Sequence, residues 1–207
     1  GGLIRLADYA EPDAAPDLET TLQSLDTTEQ TLRSNLSLPL QTDSGTMNLA
    51  DFFHWGRELR ALSRHGVALP RWDELEHGAI RPRAQQVFLF LDRQLPQELS
   101  QHWKRHRDTY VKQFGQALDA LRALAMRQSQ AQSAALKGQL TEAMGSAAAG
   151  ASLSQQAVWL LESLPGVTCV LTGMRRPEYV TDVTATLDWP PLDNALHVID
   201  QLEPPAA

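Results

Sequence analysis

Cysteine is almost missing from this chain: Cys169 is the only one in 207 residues. An intrachain disulfide is therefore excluded, and a single thiol inside an apolar run reads as a small buried hydrophobe, consistent with a reducing cytoplasm. Positive charge is also in short supply, with 18 Lys and Arg against 25 Asp and Glu, a net charge of −7 and a pI near 5.3. A dedicated nucleic-acid binder, whose affinity rests on excess Lys and Arg facing phosphates, is thereby disfavoured. No apolar run approaches the roughly eighteen residues of a membrane span, and no basic-then-apolar signal opens the chain. The expectation is a soluble cytoplasmic protein without nucleic-acid or membrane partners. Gly-x-Gly-x-x-Gly, phosphate-loop and Gly-x-Ser-x-Gly signatures are absent, so nucleophilic catalysis has no support in the sequence.

Helical periodicity is abundant. The apolar content of 43% is ordinary for a globular protein, and the length allows one large domain or two small ones. Residues 7–16 form an acidic, proline-bearing segment that reads as a surface linker. Asp17 is placed to cap a helix to Asn35, with Leu18, Leu22, Leu25 and Leu32 at helical spacings. Residues 37–45 read as a loop. Asn48 is placed to cap a helix to His65, which Gly66 ends. Pro70 to Leu75 reads as a short helix, Arg81-Pro-Arg83 as a turn, and Ala84 to Gln94 as a helix interrupted by Pro96. From Gln97 to about Gln128 the spacing of Leu99, Trp103, Tyr110, Phe114, Leu118 and Leu121 predicts a long amphipathic helix, with Gly115 as a place to bend. The Ala-, Gln- and Ser-rich residues 129–150 either continue that helical layer or form a connection. Ser152 caps a further helix to Ser163, residues 177–187 make another, and Leu192 to Leu202 a last short one.

Between these helices lies the one strong strand candidate. Val167 to Leu171 is a short β-branched apolar run, introduced by Pro165-Gly166 and followed by Gly173, which permits an unusual backbone turn, and by Pro177, which suits the first turn of a helix. Arg175 and Arg176 sit between strand and helix. Free N–H groups of the first turn, the helix dipole and two guanidinium forks there all favour an anion. A lone strand cannot satisfy its backbone groups, so it is expected to pair with Leu3 to Leu6 or with another polypeptide.

The segment Leu153 to Val183, with Ser154-Gln-Gln-Ala157, the Pro165-Gly166-Val167 turn and Val170-Leu-Thr-Gly-Met-Arg-Arg-Pro-Glu-Tyr-Val180, resembles the last βα unit of an aldo/keto reductase. Gly1-Gly2-Leu3-Ile4 is similar to the Gly-Gly-Leu after that family's seventh strand. The resemblance implies an α/β ancestry and a chain that is itself predominantly helical: the C-terminal portion of a TIM (β/α)8 barrel with one or two strands and a large helical insertion. Residues 1–16 would be a barrel strand and linker, 17–150 the insertion, whose helices from Asp17 to about Ala125 would form a layer at the C-terminal face where such barrels keep their active sites, and 151–207 the last βα unit and C-terminal helix. It further implies NADP as cofactor, gripped by Gly173, Met174, Arg175, Arg176, Tyr179 and Asp182, with the two arginines facing a 2′-phosphate, Asp182 contacting the adenine, and Tyr179 either stacking on the adenine or packing into the barrel's outer layer. Met174 and Val183 depart from the family's usual residues and weaken direct phosphate and adenine hydrogen bonding. The family's catalytic Asp, Tyr, Lys and His come from early barrel strands, and nothing before Gly1 supplies them. No catalytic residue is therefore assigned, and the expected role is the cofactor-gripping part of an oxidoreductase acting on a carbonyl or alcohol. Its partner would be the missing N-terminal barrel half. The alternative is a non-catalytic helical interaction or scaffold protein whose strand completes a sheet in a partner.

Other constellations weigh less. His102 and His106 stand four apart on the long helix, but Lys104, Arg105 and Arg107 repel a cation, so no metal site is assigned. The basic run from His102 to Lys112 reads as a solvated helix face, and His54, Trp55 and Trp72 as packing residues rather than a pocket lining. Glu74, Glu76, Asp182 and Asp188 offer carboxylates, yet spacing alone gives none of them acid/base work.

Overall fold

The computed structural model describes residues 17–42, 45–173 and 176–202. The expected strand at Leu3 to Leu6, the acidic linker and the end of the tail lie outside these residues. The described chain is predominantly helical, as its periodicity predicts, and divides into two compact units within one helix, between Arg127 and Gln128.

In the first unit, α1 (Leu18–Asn35) begins where Asp17 accepts the Thr20 N–H at 2.8 Å. Thr21, Thr27 and Thr31 donate back to carbonyls four residues earlier, which keeps their hydroxyls satisfied in a helix they would otherwise weaken. Leu22, Leu25 and Leu32 are buried on one face, and Glu29 is buried on that same face. The predicted loop is instead an antiparallel hairpin, β1 (Pro39–Thr42) with β2 (Gly45–Asn48), in which Leu40 faces Met47.

Asn48 caps as expected, but it caps a single 3₁₀ turn, Leu49–Phe52. The helix proper, α2 (Trp55–His65), starts later and closes at Gly66, whose φ of 66° favours a residue without a Cβ. Next, α3 (Leu69–Leu75) passes through a π-helical turn, Glu76–Ile80, into α4 (Arg81–Gln94). The predicted interruption at Arg81-Pro-Arg83 is absent because Pro82 falls where the bonding register is already changing, so its missing N–H breaks nothing. After Pro96, α5 (Gln97–Met144) runs unbroken past Gly115 and through the Ala/Gln/Ser-rich residues to Gly145. Phe53, Trp55, Trp72, Trp103, Tyr110 and Phe114 are all buried in this unit. Phe53 meets Tyr110 edge-on at 5.7 Å, and Phe88 meets both Tyr110 and Phe114 the same way.

The second unit holds the end of α5, then α6 (Leu153–Glu162), α7 (Pro177–Thr184) and α8 (Ala195–Gln201). Its core joins Leu140, Met144, Ala148, Trp159, Leu160, Ala195 and Val198. Trp189 packs edge-on against Trp159 at 5.0 Å, and the Trp159 indole donates to the Pro190 carbonyl at 2.7 Å. Between α6 and α7 the predicted strand does not form. Val167 to Leu171 is irregular and mostly exposed, with Leu171 94% accessible. No strand among the described residues lies beside it, since β1 and β2 pair only with each other, and an unpartnered strand leaves its N–H and C=O groups to water. The described residues therefore carry the helical part of the expected fold and no barrel sheet. No described helix is long and apolar enough to cross a membrane.

Candidate functional site

The residues expected to grip a cofactor fall on the segment entering α7. Gly173 is exposed, and Met174 and Arg175 lie outside the described residues. Gly173, read as permitting an unusual backbone turn, has no positive φ; in this stretch that conformation falls at Gly166, at φ 85° in the Pro165-Gly166 turn. A Cβ on Gly173 would meet nothing within 4 Å. Arg176 is exposed at the cap of α7, immediately before Pro177, where first-turn N–H groups point outward. Tyr179 is half-buried one turn on.

Asp182 is committed elsewhere. Its Oδ2 accepts from the Ser152 hydroxyl at 2.9 Å, and its backbone carbonyl accepts from Gln155 Nε2 at 3.0 Å. Ser152 and Gln155 are themselves the two halves of a capping box on α6, the Gln155 N–H donating to Ser152 Oγ at 3.1 Å and the Ser152 N–H to Gln155 Oε1 at 2.9 Å. Val183 is buried, so it offers nothing to a ligand.

Two polar centres in the first unit lie apart from the expected site. Glu29 is 1% exposed and collects three donors from two other elements: the Trp55 N–H at 2.8 Å, the Gly56 N–H at 3.2 Å and the Tyr110 hydroxyl at 2.8 Å. It is the N-terminal cap of α2, supplied from α1, which explains why that helix starts at Trp55 rather than after Asn48. Burial pushes the Glu29 carboxyl above its ordinary range, against the pull of Tyr110 and the two backbone donors. Burial, together with the facing Glu29 charge, holds the Tyr110 hydroxyl well above its usual value. The sequence clue is an acid at an apolar position of the Leu22–Leu25–Leu32 stripe.

Asp73, Glu76 and His77 form the second centre, with ligand-type atoms within 4.8 Å of one another. Arg122 reaches Asp73 at 2.8 Å, while Arg81 reaches the buried Glu76 at 2.6 Å. Guanidinium groups already balance both carboxylates, so the cluster is an ion-pair network that fastens the π-helical turn to α5. Among the described residues, His102 and His106 belong to no group of three or more such side chains. His54 stacks on Trp55 at 5.3 Å, and Trp55 and Trp72 are core residues.

Compared with known proteins, the chain matches no family model, no curated protein and no solved structure.

Proposed function

We propose that the second unit is the cofactor-gripping, C-terminal part of an aldo/keto-reductase-like oxidoreductase using NADP(H), with its acid/base residues supplied from outside the residues described. The observation that carries this reading is the exposure of Val167 to Leu171 directly ahead of Arg176 and the start of α7. A β-branched apolar run left to water suits a strand whose neighbours come from elsewhere, and the arginine at its end suits a phosphate. In this reading the barrel sheet closes around Val167 to Leu171, and Arg175 and Arg176 hold the 2′-phosphate. The parent reaction is hydride transfer between the nicotinamide and a carbonyl or alcohol.

Titration of NADPH into the chain, alone and joined to a barrel half, tests the grip. The Arg175→Ala, Arg176→Ala double variant should weaken binding by about ten- to a hundredfold, the loss of one or two charge-assisted contacts. Unchanged affinity would remove the phosphate role. The same exposed segment favours a second reading, a helical interaction protein that completes a partner's sheet. That reading gains if Val167 to Leu171 becomes protected from hydrogen exchange with a partner while NADPH does not bind.

A further inference from the structure

We infer that Asp182 is a positioning residue, not a ligand contact, and that Ser152 and Gln155 form with it a clamp that sets where α7 presents its N-terminal end. The inference rests on the cofactor-grip reading and revises one residue of it. The clamp joins residues some thirty positions apart through a hydroxyl donating to the carboxylate at 2.9 Å and an amide donating to the carbonyl at 3.0 Å. Both donors are pre-aimed, because each is also held in the capping box of α6. A side chain committed in this way has one oxygen already bonded, and turning toward a base would break that bond.

The threonine hydroxyls of α7, both exposed, are taken up by carbonyls of their own helix. Thr181 donates to the Pro177 carbonyl and Thr184 to the Val180 carbonyl, and Val183 is buried. Asp182 is tied by a hydrogen bond to the α6 cap, and it sits on the side opposite exposed Val180. What α7 offers a ligand is its first turn, and the clamp fixes that turn's place relative to α6.

The test uses the whole chain and two readouts. Hydrogen exchange follows α7 amides and, separately, those of the first turn of α6; adenosine 2′,5′-bisphosphate is the ligand probe. Asp182→Ala should speed exchange at both places by about three- to thirtyfold, the effect of losing a cap-type hydrogen bond, although the substitution lies on only one of the two helices. Asp182→Asn keeps an acceptor for Ser152 and should restore both exchange and probe affinity to within about twofold of the wild type, where Asp182→Ala and Ser152→Ala weaken the probe together. Exchange at α6 that ignores Asp182→Ala overturns the clamp. So does a tenfold loss of probe affinity in Asp182→Asn with exchange unchanged, because that pattern belongs to direct contact. If the wild-type chain does not bind the probe, the cofactor reading falls, and coupled exchange between α6 and α7 still decides whether the clamp exists.

Discussion

Replacing Tyr110 with Phe should weaken the first unit most at neutral and alkaline pH, and the effect should shrink on acidification. The hydroxyl is fully buried and donates at 2.8 Å to Glu29, itself 1% exposed. A hydrogen bond to a charged group contributes about 1.5–3 kcal/mol, and one to a neutral carboxyl about 0.5–1.5 kcal/mol. The folded value of Glu29 is raised by burial, so between its unfolded value of about 4.3 and that higher folded value the native state holds the extra proton. Stability from this group is therefore greatest below the unfolded value and falls as pH rises through the folded one. Removing the hydroxyl takes away the largest influence lowering the Glu29 value, widening the window upward. Exchange of the Trp55 and Gly56 amides, both of which donate to Glu29, measures the loss locally. Tyr110→Phe should speed them by about ten- to a hundredfold at pH 7.5, corrected for intrinsic rates, and by several-fold less near pH 4.5. A difference that is constant with pH, or an effect below about twofold at pH 7.5, would refute a buried, charged Glu29 as the cap of α2.

Two further substitutions probe the same unit. Gly56→Ala places a Cβ against Asp26 Oδ1, whose other oxygen is held by Arg60 at 2.8 Å. The clash should cost about 1–3 kcal/mol in thermal melting, despite alanine's better helix propensity, and Asp26→Ala in the same chain should recover most of it. Asp92→Ala leaves the buried Trp103 indole N–H without its 2.8 Å acceptor and should cost about 1–3 kcal/mol in urea unfolding; the exposed Arg107 partner adds little. Arg107 beside Asp92 holds its carboxyl below the ordinary value. The ion-pair part of its contribution should therefore be present above about pH 3.9 and fade as pH falls through the lowered folded value, so the gap between wild type and variant narrows in strong acid without closing, the neutral carboxyl still accepting from the Trp103 indole.

The helices were legible because each rests on local chemistry. Asp17 and Ser152 cap where their side chains alone predict, Gly66 and Pro96 stop helices for backbone reasons, and the apolar stripe of α5 from Trp103 to Leu121 needs no distant partner to be seen. The misplaced boundaries fail for the opposite reason. Asn48 does cap, yet α2 begins only at Trp55, because the anion that fixes its first turn comes from Glu29, some 26 residues earlier. Pro82 looks like a break until the π-helical turn before it is known, and that turn is held by Arg81 and Arg122, the latter far along the chain.

Glu29 and the Val167–Leu171 run are inverse cases of one rule. Hydrophobic pattern reports where a residue is stable only if its environment is the average one. An acid in a leucine stripe is buried because three donors from two other elements surround it; an apolar β-branched run is exposed because no strand among the described residues stands beside it. The first mismatch is resolved inside the unit, which makes Glu29 a matter of architecture. The second is unresolved there, and an unresolved mismatch in burial is where a partner or a missing sheet has a physical reason to act.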